Sequence, residues 1–115
     1  METTVFGIKH CDTMKKALRW LEEHHIDHVF HDYKKQGVPE QRLRQWIAAL
    51  GWETVINRRG TTWRKLDETL RESMNTESAL TVAMENPSII KRPILQTDTV
   101  ITAGFNPDDW QSLLK

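Results

Sequence analysis

The sequence predicts an α/β fold whose elements run β–α–β, then several helices, then β–β–α, and three observations predict it. Residues 3–33 read as strand, helix and strand within about thirty residues, the length of a right-handed βαβ unit with parallel strands. The middle of the chain, about 38–88, has helical spacings and short helical pieces but no convincing strand alternation. After it come two short β-branched runs and a strong helix-start signal at Asn106-Pro107-Asp108-Asp109.

Each element has its own justification. Thr3 to Ile8 is rich in β-branched and aromatic residues, which favour a strand. A helix then begins near Cys11, with Met14, Ala17, Leu18 and Leu21 on one apolar face and Lys15, Lys16, Arg19, Glu22 and Glu23 largely on the other. His28 to Tyr33 reads as the second strand, with Val29 and Phe30 among polar neighbours. Gly37-Val38-Pro39-Glu40 is a helix entry with Pro39 in the first turn. Leu43, Trp46, Ile47 and Leu50 carry that helix, and Gly51 ends it. Helical pieces are expected around Thr54–Asn57, Lys65–Glu72 and Thr76–Glu85, the last capped by Thr76. Ile94-Leu95 and Val100-Ile101 read as strands joined by a turn over Gln96-Thr97-Asp98-Thr99. In the last helix Asn106 caps, Pro107 takes the first turn, and Trp110, Leu113 and Leu114 face the core. With no linker composition on either side of 38–88, the chain is expected to be one domain over 1–115, with that insertion part of it.

Composition narrows the function classes. The 115 residues carry 16 Lys and Arg against 16 Asp and Glu, a formal charge of zero with His neutral. A general nucleic-acid binder usually has a basic surplus, so no direct nucleic-acid partner is expected. No apolar run approaches the ~20 residues of a membrane span, and no secretory signal pattern is visible, so no membrane partner is expected. Cys11 is the single cysteine. No internal disulfide is possible, and a cytoplasmic location is expected.

Cys11 is also the sharpest chemical feature. It sits where a strand-loop becomes a helix, beside Lys9 and His10. Unpaired helix amides and the positive end of the helix dipole favour a reactive thiolate there. A dithiol redox helix would carry its second Cys at Met14, so a thiol cycle must take its second sulfur from outside the chain. His24, His25 and His28 have no Cys or Glu motif beside them, and no metal site is expected. Asn57-Arg58-Arg59-Gly60 and Lys91-Arg92-Pro93 are two basic spots with the donor geometry that suits carboxylates and oxyanions. The five tryptophans fit core and edge packing.

Four ordered segments carry a family resemblance: Val5-Phe6-Gly7-Ile8-Lys9-His10-Cys11-Asp12-Thr13-Met14-Lys15-Lys16-Ala17, Asn57-Arg58-Arg59-Gly60-Thr61-Thr62-Trp63-Arg64-Lys65-Leu66, Ile89-Ile90-Lys91-Arg92-Pro93-Ile94-Leu95 and Ala103-Gly104-Phe105-Asn106. Together they resemble the ArsC/Spx family of thioredoxin-fold proteins, and the second segment looks most like its YffB-like branch. The resemblance implies a thioredoxin-like mixed four-stranded sheet with flanking helices and an ArsC-like helical insertion between the second and third strands. It implies Cys11 as nucleophile. Arg59 and Arg92 fall on family positions that line an anion pocket, with Arg58 adjacent to the first. Pro93 falls where the fold carries a cis-proline near the active cysteine.

The implied function is a monothiol, glutathione-dependent thiol/disulfide reductase, an oxidoreductase with no bound cofactor and with glutathione or a small thiol as co-substrate. Arg59, Arg92, Lys9 and His10 are the expected anion and glutathione contacts. The alternative is an Spx-like transcription regulator that binds the C-terminal domain of the RNA polymerase α subunit, since Gly51, Arg59 and Gly104-Phe105-Asn106 look like Spx. Met14 departs from the Cys-x-x-Cys of the Spx regulators. Arsenate reductases of the family carry a His where this chain has Gly7, and a third arginine where it reads Ala103-Gly104-Phe105. Literal arsenate reduction is therefore the third-ranked expectation.

Overall fold

The computed structural model describes residues 2–115. Two compact units make up the chain: one runs to Gly37 and resumes at Arg92, and the other is Val38–Lys91.

The first unit is built on four strands, β1 (Thr4–Gly7), β2 (Val29–Asp32), β3 (Ile94–Gln96) and β4 (Ile101–Ala103), in the order β2-β1-β3-β4. β1 pairs parallel to β2, with Val5 opposite Phe30 and Gly7 opposite Asp32. β3 runs antiparallel to both β1 and β4. The sheet is therefore mixed, as expected, and its parallel pair is the predicted βαβ unit. The crossover is α1 (Asp12–Glu23), and α8 (Pro107–Leu114) closes the chain. Val5, Leu95, Met14, Ala17, Leu21 and Trp110 form its core cluster. Withdrawing Val5, Met14, Leu21 or Leu95 from water contributes about 1.5–3 kcal/mol each.

Several boundaries differ from the sequence reading, each for a local reason. Tyr33 leaves β2 and opens a short turn, α2 (Tyr33–Gln36), because Asp32 Oδ1 accepts from the Lys34 amide at 3.0 Å. The β3–β4 turn starts one residue later, with the Thr97 amide donating to the Val100 carbonyl at 2.9 Å. Asn106 caps α8 as predicted, through Oδ1 and the Asp109 amide at 3.2 Å. Trp110 is buried and Leu114 packs on the core, but Leu113 is 40% exposed, so it does not face the core.

The second unit is helical: α3 (Glu40–Leu50), α4 (Trp52–Val55), α5 (Thr61–Arg64), α6 (Glu68–Glu72) and α7 (Thr76–Glu85), then a 3₁₀ turn at Pro87–Ile89. Pro39 stands one place before α3, not inside its first turn. The helix expected over Lys65–Glu72 is broken, because the Asp67 carboxylate accepts the Thr69 amide at 3.1 Å and starts α6 afresh. α7 is capped by Asn75, not Thr76: Asn75 Oδ1 accepts from the Ser78 amide and Ser78 Oγ accepts from the Asn75 amide. Trp46 is buried in this unit, beside Leu43 and Ile47 on the inner face of α3.

The approach of α1 to the end of β1 sets the geometry of the first unit. A Cβ placed on Gly7 would lie 2.5 Å from Met14 Sδ and 2.9 Å from its Cε. Met14 is fully buried, so its thioether fills the space that a side chain at position 7 would need. Gly7→Ala is expected to destabilise the protein by about 1–3 kcal/mol through overpacking. The effect should be strongly non-additive with Met14→Ala, which clears the same space. Urea unfolding of the two single variants and the double variant measures the coupling, and additive losses would contradict the contact.

Candidate functional site

The pairing of β1 with β3 fixes what gathers at one end of the sheet. Phe6 pairs with Ile94, so Arg92 and Pro93, which directly precede Ile94, enter β3 at the end of the sheet where β1 leaves through Gly7. From this same end the chain leaves β1 through Lys9 and His10 and reaches Cys11, the residue that caps α1. The carboxyl ends of parallel strands are where open α/β sheets place their ligands. The Arg92–Pro93 peptide is cis. The Pro93 carbonyl accepts from the Gly104 amide at 2.8 Å, and Gly104 itself has φ +87°, a conformation that a side chain would strain.

Cys11 has extended backbone angles, φ −133° and ψ 131°, while its carbonyl already accepts the Lys15 amide at 2.9 Å. Its side chain makes no capping hydrogen bond. Cys11 is a partly buried residue that packs against the core cluster from its rim. The position equivalent to a resolving cysteine, Met14, is held in the core.

Lys9 and His10 do not simply flank the sulfur. With Lys15, Leu18, Arg19 and Glu22 they line an open cavity of about 450 Å³ along α1. Sequence reasoning placed the α1 cations on a solvated face and did not join them to Lys9 and His10, because the join depends on how the 8–11 loop lies on the helix.

Tyr33 begins at the same end of the sheet, one residue beyond the Gly7–Asp32 pair. It was not singled out from sequence, because a lone Tyr after a strand carries no pattern. Burial pushes its hydroxyl well above the ordinary range, and the positive charge of Arg92 partly opposes that rise.

The second basic spot lies in the other unit. Ile56 and Ile90 form an antiparallel bridge, with the Asn57 amide donating to the Ile89 carbonyl and the Lys91 amide to the Val55 carbonyl, both at 2.8 Å. That bridge brings Lys91 to the Asn57–Gly60 bend. Glu53, Thr54, Ile56, Asn57, Arg58, Arg59 and Lys91 line a cavity of about 430 Å³. Asn57 Oδ1 accepts from the Arg59 amide at 3.1 Å and shapes the bend. The Arg58 guanidinium sits 5.6 Å from the Trp52 ring centre, a cation–π distance. Lys91 and Arg92 are neighbours in sequence, yet Lys91 lines this cavity and Arg92 belongs to the sheet end of the first unit. Among the described residues no group of three His, Cys, Asp or Glu side chains could hold a metal ion. No helix there is long and apolar enough to cross a membrane.

The Tyr33 shift has a definite sign in stability. The unfolded chain loses this proton near the ordinary value of about 10, whereas the folded chain keeps it, so stability present below that value is lost above it. Urea midpoints measured from about pH 8 to about pH 11 should fall more steeply for the wild type than for Tyr33→Phe. Parallel declines would show that Tyr33 is not an alkaline-sensitive group.

The ArsC family profile matches residues 6–113. A Haemophilus influenzae protein of uncharacterised function is 47% identical over 109 residues, covering 95% of this chain and 96% of its own. The global transcriptional regulator Spx of Staphylococcus epidermidis is 25% identical over 113 residues, covering 96% and 86%. Among solved structures, YffB (PA3664) superposes with a TM-score of 0.94 at 45% identity, covering 98% of this chain and 99% of its own. An arsenate reductase-related protein from Brucella melitensis gives 0.80 at 44% identity, covering 100% and 96%. The thioredoxin-like sheet with its helical insertion is thus shared over nearly the whole chain, and the chain belongs to the ArsC family.

Proposed function

We propose that this chain is a cytoplasmic monothiol reductase that uses Cys11 as nucleophile and glutathione as the resolving thiol. The observation that carries this reading is the setting of Cys11: a partly exposed cysteine residue at the start of a twelve-residue helix, with a buried methionine where a second cysteine would stand. Relatives described as arsenate reductase-related support an oxidoreductase at the coarse level.

The chemistry balances in three exchanges. The Cys11 thiolate attacks one sulfur of a disulfide R–S–S–R′. A bond forms between Cys11 and R–S, and R′–S⁻ leaves. A glutathione thiolate then attacks the R sulfur of the mixed disulfide, which releases the Cys11 thiolate and leaves R joined to glutathione. A second glutathione thiolate attacks the glutathione sulfur of R–S–S–G, releasing R–S⁻ and glutathione disulfide, so the substrate disulfide gains two electrons overall and two glutathiones supply one each. Arg59 and Arg92 are assigned to a carboxylate of glutathione or an oxyanion product, with charge-assisted guanidinium contacts. The Arg58 guanidinium is occupied on Trp52, which favours Arg59 over Arg58 for this role. Lys9 and His10 add positive potential, and cis-Pro93 shapes the site without reacting.

The Spx relative supports a second reading, a regulator that docks on the RNA polymerase α subunit and uses Cys11 little. Literal arsenate reduction ranks below both. Gly7 offers no imidazole and no room for one against Met14, and Gly104 offers no guanidinium.

A glutathione-coupled reductase assay separates the readings. Cys11→Ser should keep its circular dichroism and lose thiol transfer. Arg59→Ala and Arg92→Ala should each slow the reaction with glutathione disulfide by a few-fold while sparing a neutral disulfide, the scale expected for partly screened ion pairs. Activity undiminished in Cys11→Ser would overturn the enzyme reading. No effect of either arginine, together with tight binding to the α-subunit domain, would favour the regulator.

A further inference from the structure

We propose that the cationic face of α1 beside Cys11 is a docking surface for an acidic peptide segment that flanks the target's own cysteine. The inference rests on the reading of Cys11 as the attacking thiol and names the class of disulfide it prefers: proteins or peptides with carboxylates close to the oxidised sulfur.

The surface is the cavity of about 450 Å³ lined by Lys9, His10, Lys15, Leu18, Arg19 and Glu22. Lys15, Leu18, Arg19 and Glu22 follow the spacing of one helix face, and Cys11 stands four residues before Lys15, at the head of the same stripe. The chain as a whole is neutral, yet this face sets three permanent cations against one carboxylate. None of the three cations forms an ion pair among the described residues.

Helix stability does not explain this charge pattern. A helix is stabilised by acids near its start and bases near its end. α1 has Asp12 as its only first-turn acid, its last turn has no base, and Glu22 and Glu23 stand at its end. Lys15 therefore lies toward the wrong end for the dipole, and its placement one turn from Cys11 suits a bound anion instead, with Arg19 one turn further along the same face.

Spacing selects a peptide as occupant. The helix rises about 1.5 Å per residue, so Lys15, Arg19 and Glu22 lie roughly 6, 12 and 16 Å along the axis from Cys11. An extended peptide advances about 3.3 Å per residue. Lys15 is then level with the second residue from the target's cysteine, Arg19 with the fourth, and Glu22 with the fifth. Leu18 offers an apolar contact to the residue between the two acids. A longer polyanion such as nucleic acid would run onto Glu22 and Glu23, which repel it.

In the exchange step, the Cys11 thiolate attacks the peptide's cysteine sulfur, a Cys11–peptide disulfide forms, and the blocking thiol leaves as thiolate. The test uses the full chain and peptides with one cysteine blocked by 2-mercaptoethanol. One peptide has Glu at the second and fourth positions from the cysteine and the other has Gln at both, each made with these residues preceding and following the cysteine. Rates of mixed-disulfide formation are read by intact mass. In one of the two directions the Glu peptide should react about 3–10-fold faster at low salt, and this ratio should collapse at about 0.5 M salt. Lys15→Gln/Arg19→Gln should bring the ratio near one. A ratio near one for the wild type in both directions, or a preference unchanged in the double variant, would overturn the proposal. So would inhibition by a single-stranded oligonucleotide as strong as that by an unblockable acidic peptide of equal charge. If neither peptide reacts, the reading of Cys11 itself has failed, which is a distinguishable result.

Discussion

The first unit depends on the contact between Gly7 and Met14. The thioether of Met14 fills the space beside residue 7 where α1 packs against the end of β1, so a side chain at position 7 would force Met14 to shift. That contact anchors the turn that begins at Cys11, three residues before Met14. The register of β1 with β3 brings Arg92 and cis-Pro93 to the same end of the sheet. A single packing choice thus fixes the backbone from which the sulfur is presented. It also removes two chemistries at once: position 14 holds a buried thioether and not a second thiol, and position 7 holds nothing that could donate a proton.

Positive charge is distributed in two different ways. In the first unit, Lys9 from the preceding loop and Lys15 and Arg19 from α1 line one cavity. In the second, a β-bridge between Ile56 and Ile90 carries Lys91 to the Arg58–Arg59 bend. A formal charge of zero over the whole chain hides both. Net charge excluded a general polyanion binder, and local charge still permits recognition of small or short anions.

Much of this was legible in the sequence. The period of Met14, Ala17, Leu18 and Leu21 identified α1 and its buried face, and Asn106-Pro107-Asp108-Asp109 identified the start of α8. Cys11 stood out because a lone cysteine at a strand-to-helix junction has a physical meaning. Other features depended on contacts that no local pattern encodes. Asp32 and Asp67 draw backbone amides into new turns, so the ends of β2 and the helix before α6 were misjudged. Asn75 outcompeted Thr76 as a cap because Ser78 completes a reciprocal pair. Lys91 and Arg92 read as one basic spot, and only the bridge to Ile56 shows that Lys91 lines a cavity with Arg58 and Arg59. The close fit of Gly7 to Met14 is invisible from sequence, since seven residues separate them and neither is unusual alone.

The central claim is that the fold presents one reactive sulfur to an external thiol. Intact mass after exposure to oxidised glutathione tests it most directly, with the folded protein and the urea-unfolded protein measured in parallel. The account predicts one glutathione adduct per folded chain, formed faster than in the unfolded chain and absent from Cys11→Ser. An adduct that forms only after unfolding would contradict it, because Cys11 would then be a packing residue that happens to carry sulfur.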